Sequence, residues 1–441
     1  MKKSYLQRYD EAAEADKFPL VYKWMWEEPL PFFKELRENR PILVTPVVTI
    51  ITRFADVCDV LNMPNIFTVQ LYLPKMGGGI YLMAHDDDAL HTREKSIMQS
   101  LLNRDDLPSV RKMIADIGKS ILDQANGNIE IVNDFCRMVP ATLVQDYFGL
   151  TGVDKKKLIE WSYWNQYNTF HNQPFDFMPE EKKKHIEDEQ ARVSRELGMY
   201  IAELLVKRTL AIKLEKANLI RSLWYRFRIL ARSMMGKKDE KLRDDIVTRM
   251  MRNNFPAEMK LDFKRLGVNA GGLLIGAIET TSQAVAQTIQ YLLNSKEWLG
   301  KAQAAAKRDD PAEFDAIVWE ALRYVPIAPY LFRKSAVDYT VGMGTDYATK
   351  IPAGTYVLPA TQSAMFDSYA YENPDQFIPN RNWYHHFNFG FGSHECLGKY
   401  IGMVMIPEMV RQVMLKGNLT ANGKIDYKSG PFPEEYRLTW N

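Results

Sequence analysis

Between Leu266 and Ser295 the chain carries a single charged residue, Glu279. The same stretch holds Asn269, Gln283, Gln287, Gln290 and Asn294. It is too polar to span a membrane and suits a long helix through a protein core. Other elements follow from the same kind of pattern. Pro29 to Asn39 reads as a helix with a proline-rich entry, ended by Arg40-Pro41. Ile42 to Thr52 is rich in β-branched residues and is interrupted by Pro46, which predicts a strand pair. Ala55 to Leu61 reads as a short helix, and Phe67 to Ala84, with Pro74 and Gly77-Gly78-Gly79, as irregular chain. Helical periodicity returns from His91 to Leu102. It then dominates from Leu107 to about Arg308, with breaks at Asn126-Gly127-Asn128, Gln173-Pro174 and Gly236. Asp310 to Tyr324 is a further helix, stopped by Val325-Pro326. Arg333 to Leu358 is strand-like, with turns at Gly342 and Pro352-Ala353-Gly354. Lys399 to Leu415 is helical in pattern, with a kink expected at Pro407.

These elements describe a mainly α chain with a minor β region. No Gly/Pro/Ser-rich linker, low-complexity run or internal repeat divides the 441 residues, so a single large domain is expected over 29–441, preceded by an N-terminal extension, 1–28. Residues 1–16 are polar and lack the apolar core of a signal peptide. Three cysteines, Cys58, Cys136 and Cys396, are too few and too odd a set for a disulfide framework and suit a reducing compartment. A soluble, cytoplasmic protein is therefore expected. A formal charge of +2 gives no support to nucleic-acid binding.

Cys396 has the most informative surroundings: Phe389-Gly390-Phe391-Gly392-Ser393-His394-Glu395-Cys396-Leu397-Gly398. Gly390 and Gly392 permit a tight turn, which lets backbone N–H groups point at a sulfur, as a thiolate requires. One cysteine cannot build a zinc or iron–sulfur site, but one thiolate can hold an axial position of haem iron. The frame resembles the haem-ligand loop of the cytochrome P450 superfamily, F-G-x-G-x-H-x-C-x-G, at every fixed position. The resemblance extends over essentially the whole chain from Pro29 and implies the P450 fold. It also implies haem b (iron protoporphyrin IX) held by Cys396, with Phe389 against the same sulfur.

Other segments resemble the family's further motifs. Gly276-Ala277-Ile278-Glu279-Thr280-Thr281 is similar to its oxygen-activation segment, with Gly-Ala in place of Ala-Gly and Glu in place of the commoner Asp. The resemblance implies a catalytic pair: Thr280 hydrogen-bonding beside dioxygen, and Glu279 relaying protons from solvent. An acid next to threonines inside a core helix is costly unless it is used or satisfied. His91-Thr92-Arg93-Glu94-Lys95 resembles the segment that clamps a haem propionate, with Lys95 where an arginine is usual; Arg333 and His394 match two more propionate contacts. Glu320 and Arg323 share a helix face at i,i+3 and taken alone would be a solvated pair. By resemblance they join Arg381 in a structural ion triad, tolerable in a core only if every partner is satisfied.

The resemblance implies a haem–thiolate monooxygenase that inserts one atom of dioxygen into a small lipophilic substrate. Electrons would come from a separate ferredoxin or flavodoxin-type donor with its reductase. Phe67 to Met83, Trp161 to Phe177 and Val325 to Phe332 are expected to line the substrate side. The aromatic group Trp161, Tyr163, Trp164, Tyr167, Phe170, Phe175 and Phe177 suits either a lipophilic ligand or core packing. Two other readings stand beside it: a hydroperoxide isomerase or peroxygenase acting on oxidised or free fatty acids without a reductase, and a non-catalytic haem-binding sensor. The basic segment Lys207 to Arg252, with Leu223-Trp224-Tyr225-Arg226-Phe227-Arg228, reads as an exposed lid helix or as a contact with an anionic membrane surface.

Overall fold

The computed structural model describes residues 3–86, 88–216, 244–252, 256 and 259–441, with 214–216 by backbone alone. The helices are α1 Tyr5–Glu11, α2 Glu14–Glu27, α3 Pro29–Asn39, α4 Phe54–Asn62, α5 Ala89–Leu101, α6 Leu107–Gln124, α7 Met138–Leu143, α8 Lys155–His171, α9 Glu180–Lys216, α10 Ile246–Arg252, α11 Phe263–Ala277, α12 Glu279–Asn294, α13 Lys296–Ala306, α14 Ala312–Tyr324, α15 Thr361–Ala364 and α16 Lys399–Met414. π-helical turns at Val132–Cys136 and Val144–Phe148 flank α7. Capping side chains fix several starts: Asp88 accepts from the N–H of His91, Asp154 from that of Lys156 and Asp262 from that of Arg265.

The strands are β1 Ile42–Val44, β2 Val48–Ile51, β3 Phe67–Thr68, β4 Asn128–Glu130, β5 Arg333–Ser335, β6 Tyr339–Val341, β7 Thr349–Ile351, β8 Tyr356–Pro359, β9 Thr420–Asp426 and β10 Glu435–Thr439. One sheet has the order β1-β2-β8-β5-β3, with β2 and β8 parallel (Val48 opposite Tyr356) and the other pairs antiparallel. A second sheet, β4-β10-β9, joins residues far apart in sequence, and β6-β7 is a two-stranded ribbon.

The largest apolar core lies among α5 to α14 and α16. Here α16 packs on α6, α12 and α14, which places the chain just before α16 at the centre of the molecule. A separate core joins α1, α2 and α3 to the first sheet through Phe18, Val21, Trp24, Phe32 and Phe33, and it includes Phe175, Tyr330 and Phe332. The sequence reading assigned no element before Pro29; α1 and α2 contribute Tyr9, Phe18, Val21, Trp24 and Met25 to that core.

One local expectation changes: the apolar stretch after Leu266 forms two helices, broken at Ile278, rather than one. Pro407 lies within α16. The C-terminal hairpin β9–β10 has no counterpart in the sequence reading, although β10 alternates buried and more exposed positions. Gly236 and Leu223 to Arg228 lie outside the described residues. Among the described residues no helix is long and apolar enough to cross a membrane.

Candidate active site

The Cys396 loop is held by its own backbone. The N–H of Cys396 donates to the carbonyl of Phe389 at 2.8 Å, and the N–H of Gly390 to that of Phe387 at 2.9 Å. Gly390 and Gly392 have φ of 73° and 71°, the left-handed region that β-carbons disfavour. A Cβ on Gly392 would also lie 2.8 Å from the Leu61 carbonyl and from Asn62 Oδ1, so this glycine lets the loop dock on the end of α4. Phe389 fits the notch left by Gly402, whose Cβ would lie 2.8 Å from its ring, and it packs against Trp319 with centroids 5.4 Å apart.

Of the three cysteines, Cys136 is buried, Cys58 is half-buried and Cys396 alone is exposed. Yet it sits deep in the molecule. Burial pushes its thiol pKa up; the N–H of Gly398 and the Lys95 and Lys399 ammonium groups pull it back, and Glu395 works with burial. Gly276, on α11, is likewise exposed, and a Cβ there would meet nothing within 4 Å. Tyr81 links α11 to the loop: its ring lies so close over Gly272 that no side chain would fit there, and its hydroxyl feels the charge of Cys396.

A basic rim adjoins the loop. His91 is buried and stacks on His394, with ring centroids 4.6 Å apart and planes 17° from parallel. Lys95 Nζ donates to the carbonyls of Ser393 and Glu395, the latter at 2.8 Å, so it also braces the Cys396 loop. Arg333, at the start of β5, is buried and donates to the Phe332 carbonyl at 2.8 Å. Its charge feels Asp86, but among the described residues no carboxylate forms an ion pair with it, and burial lowers its pKa. Burial pushes His394 down to about 3, and Arg333, His91 and Lys95 add to the effect. Basic groups that depress one another's protonation favour a bound anion. One thiolate-forming sulfur on an open face, beside a rim suited to two carboxylates, fits a haem with its propionates.

The break at Ile278 sets the direction of the next two side chains. Thr280 Oγ1 donates to the carbonyl of Gly276 at 2.7 Å, and Gly276 is itself exposed. The preceding carbonyl, that of Ile275, accepts from Ser162 Oγ at 3.2 Å and from Gln166 Nε2, both on α8. Glu279 turns into the core, where it is 1% exposed, and both its oxygens lie 3.1 Å from Arg137 Nε. Arg137 also donates to Asn133 Oδ1 at 2.6 Å, to Glu434 Oε2 at 3.0 Å and to the Pro433 carbonyl at 3.1 Å. Burial raises the pKa of Glu279 to about 7; Arg137 opposes the rise and Glu434 adds to it. Glu279 and Thr280 are thus neighbours in sequence with separate partners. Sequence reasoning missed Arg137 and Glu434. The one signal was an arginine set beside the apolar run of α7; nothing marked Glu434.

Glu320, Arg323 and Arg381 converge. Arg323 Nη2 and Nε lie 2.6 and 3.1 Å from the two Glu320 oxygens, and Arg381 Nε lies 3.1 Å from Glu320 Oε1. The remaining donors go to carbonyls: Arg323 to Met365, Pro374 and Gln376, and Arg381 to Glu372, Asn373 and Gln376. The aromatic group around α8 is divided between neighbours. Tyr163, Trp164 and Tyr167 pack with Phe432 or against one another, Phe175 with Phe332, and Phe177 with Phe18 and Tyr22.

Comparison with known proteins gives a consistent picture. The family model for cytochrome P450 matches residues 59–419. Cyclomarin C epoxidase CymV of Salinispora arenicola is 24% identical over 382 residues, covering 83% of each chain. The structure of cytochrome P450 CYP109Q5 from Chondromyces apiculatus superposes with a TM-score of 0.73 at 18% identity, over 95% of this chain and 96% of that one. CYP109E1 from Bacillus megaterium, solved in complex with testosterone, gives 0.72 at 18% identity, over 94% and 99%.

Proposed function

The chain belongs to the cytochrome P450 monooxygenase family, and on that premise we propose that it inserts one atom of dioxygen into a small lipophilic substrate, with haem b held by Cys396. The observation that carries the reading is the accessible sulfur of Cys396 in a glycine-turned loop, beside the rim formed by His91, His394, Lys95 and Arg333. When bound there, haem supplies dioxygen activation.

This chain's own residues supply the setting. Cys396 offers the sulfur, steadied by the N–H of Gly398. Arg333 and Lys95 offer positive charge, and the His91 and His394 rings polar contacts, to the propionates. Thr280 presents a hydroxyl to the haem side, and Glu279 stores a proton behind it. Glu320, Arg323 and Arg381 fix the chain leading to the Cys396 loop. A lipophilic substrate is proposed, and a ferredoxin or flavodoxin-type donor completes the cycle. The relatives' names, an epoxidase and a testosterone-bound enzyme, place bulky apolar compounds first in a substrate screen.

The test is spectroscopic. The reduced protein under carbon monoxide should show the red-shifted Soret band of a thiolate-ligated haem, and Cys396→His should move it to the position of a histidine-ligated one. A globin-like spectrum in the wild type overturns the assignment. Product formation with a hydroperoxide but not with dioxygen and reductase would favour the isomerase or peroxygenase alternative.

A further inference from the structure

Glu279 is enclosed, so a proton that it delivers must be replaced from elsewhere. Its oxygens meet Arg137, and Arg137 meets a second acid, Glu434, from the turn between β9 and β10. Glu434 differs from Glu279 in one decisive respect: its side chain is 19% exposed, against 1%. Its Oε2 accepts from Arg137, while its Oε1 is a buried atom with no hydrogen-bond partner. Two carboxylates therefore share one guanidinium. Arginine keeps its proton in proteins, so full ionisation leaves the unit with one negative charge in excess. A low-dielectric site resists that excess and favours the uptake of one proton by the pair.

We propose that Glu434 tunes Glu279: by sharing Arg137 with it, Glu434 adds a second negative charge to the site and strengthens the hold of Glu279 on a proton. Glu434 acts through Glu279 and is a positioning residue. This assignment rests on the proton-delivery reading of Glu279 given above.

The surroundings leave the unit isolated. Tyr163 lies beside Glu434, and its ring is 5.4 Å from the Arg137 guanidinium. Asn133 donates to the backbone carbonyl of Glu434, and Glu130 is engaged by the N–H groups of Val132, Asn133 and Tyr436. On the hairpin, Lys428 and Arg437 pair with Glu435, and Lys182 reaches the carbonyl of Ser429. Burial and the Glu434 carboxylate thus raise the proton affinity of Glu279, and Arg137 opposes them.

The experiment uses the haem-loaded enzyme and two measurements. Infrared titration follows the protonated-carboxyl C=O band, which Glu279→Gln assigns by removing it. Glu434→Gln keeps an acceptor for Arg137 while removing the charge, and it should lower the midpoint by about one pH unit. Glu434→Asp should restore it. An unchanged midpoint in Glu434→Gln overturns the proposal. The second measurement is the pH profile of reductase-driven oxygen consumption. Its alkaline limb should move down with the same variant, whereas a merely structural defect lowers the rate at every pH without moving the limb. If Glu279→Gln leaves the limb in place while Glu434→Gln still shifts the infrared midpoint, the proton-delivery reading of Glu279 fails and the coupling of Glu434 to Glu279 stands.

Discussion

Tyr22 Oη donates to Asp176 Oδ1 at 3.3 Å, tying α2 to the turn that follows α8. Asp176 also accepts from the N–H of Gln173 at 2.8 Å. Burial raises its pKa to about 6, against the pull of that N–H, of Tyr22, and of Lys183 and Lys75. The fold therefore prefers this carboxyl protonated. Its contribution is complete below the unfolded value near 3.8 and is lost as pH rises through 6. Asp176→Asn should stabilise the protein at pH 7 by about 1–2 kcal/mol and give no gain at pH 4. Urea unfolding midpoints at the two pH values check this.

The ion triad predicts a different failure. Glu320 is 1% exposed and satisfies Arg323, Arg381 and the N–H of Ile378. Glu320→Ala should cost about 3–5 kcal/mol, because two buried guanidinium groups lose their shared acid. The yield of soluble, haem-loaded protein is the measurement, and a normal yield contradicts the role given to the triad.

Gly392→Ala isolates backbone strain from chemistry. The new methyl would sit at φ 71° and 2.8 Å from the Leu61 carbonyl. A loss of about 1–3 kcal/mol in stability is expected, together with weaker haem retention measured by transfer to apomyoglobin. Gly344→Ala, also at positive φ but with open space around it, should lose stability and keep haem retention.

Thr280→Ala removes the hydroxyl that presently bonds the Gly276 carbonyl. Haem content should be unchanged. Product formed per NAD(P)H consumed should fall several-fold, with hydrogen peroxide rising to match. Unchanged coupling would assign proton delivery elsewhere.

The sequence made some of this legible and left the rest silent. Cys396, the Glu320–Arg323 pair and the Glu279–Thr280 pair are local patterns: ligand, spacing and neighbours lie within ten residues. Fold class followed from long periodic runs. The sequence allowed a kink near Ile278, since Gly276 and the β-branched Ile278, Thr280 and Thr281 are weak helix formers, but it did not show that the Ile275 carbonyl is drawn off by Ser162 and Gln166 of another helix. Arg137 and Glu434 were hidden for a related reason. A buried charge is identified by its partner, and the partner of Glu279 is 142 residues away in sequence. The aromatic run from Trp161 to Phe177 was ambiguous for lack of direction: helical spacing does not say that Tyr163 turns toward Phe432 and Phe177 toward Phe18.

The pairing of β4 with β10 has a consequence for biosynthesis. Asn128, Ile129 and Glu130 lie opposite Thr439, Leu438 and Arg437, and this strand pair carries the turn that brings Glu434 to Arg137. During translation Arg137 and Glu279 both leave the ribosome well before Glu434 exists. A nascent chain can bury the first acid against its arginine, but the second must thread into place afterwards, with the closure entropy of a long loop already to be met. The Glu279–Arg137–Glu434 ion cluster is thus completed late, and a nascent chain stalled before residue 434 would hold Glu279 and Arg137 as a neutral pair without the second acid.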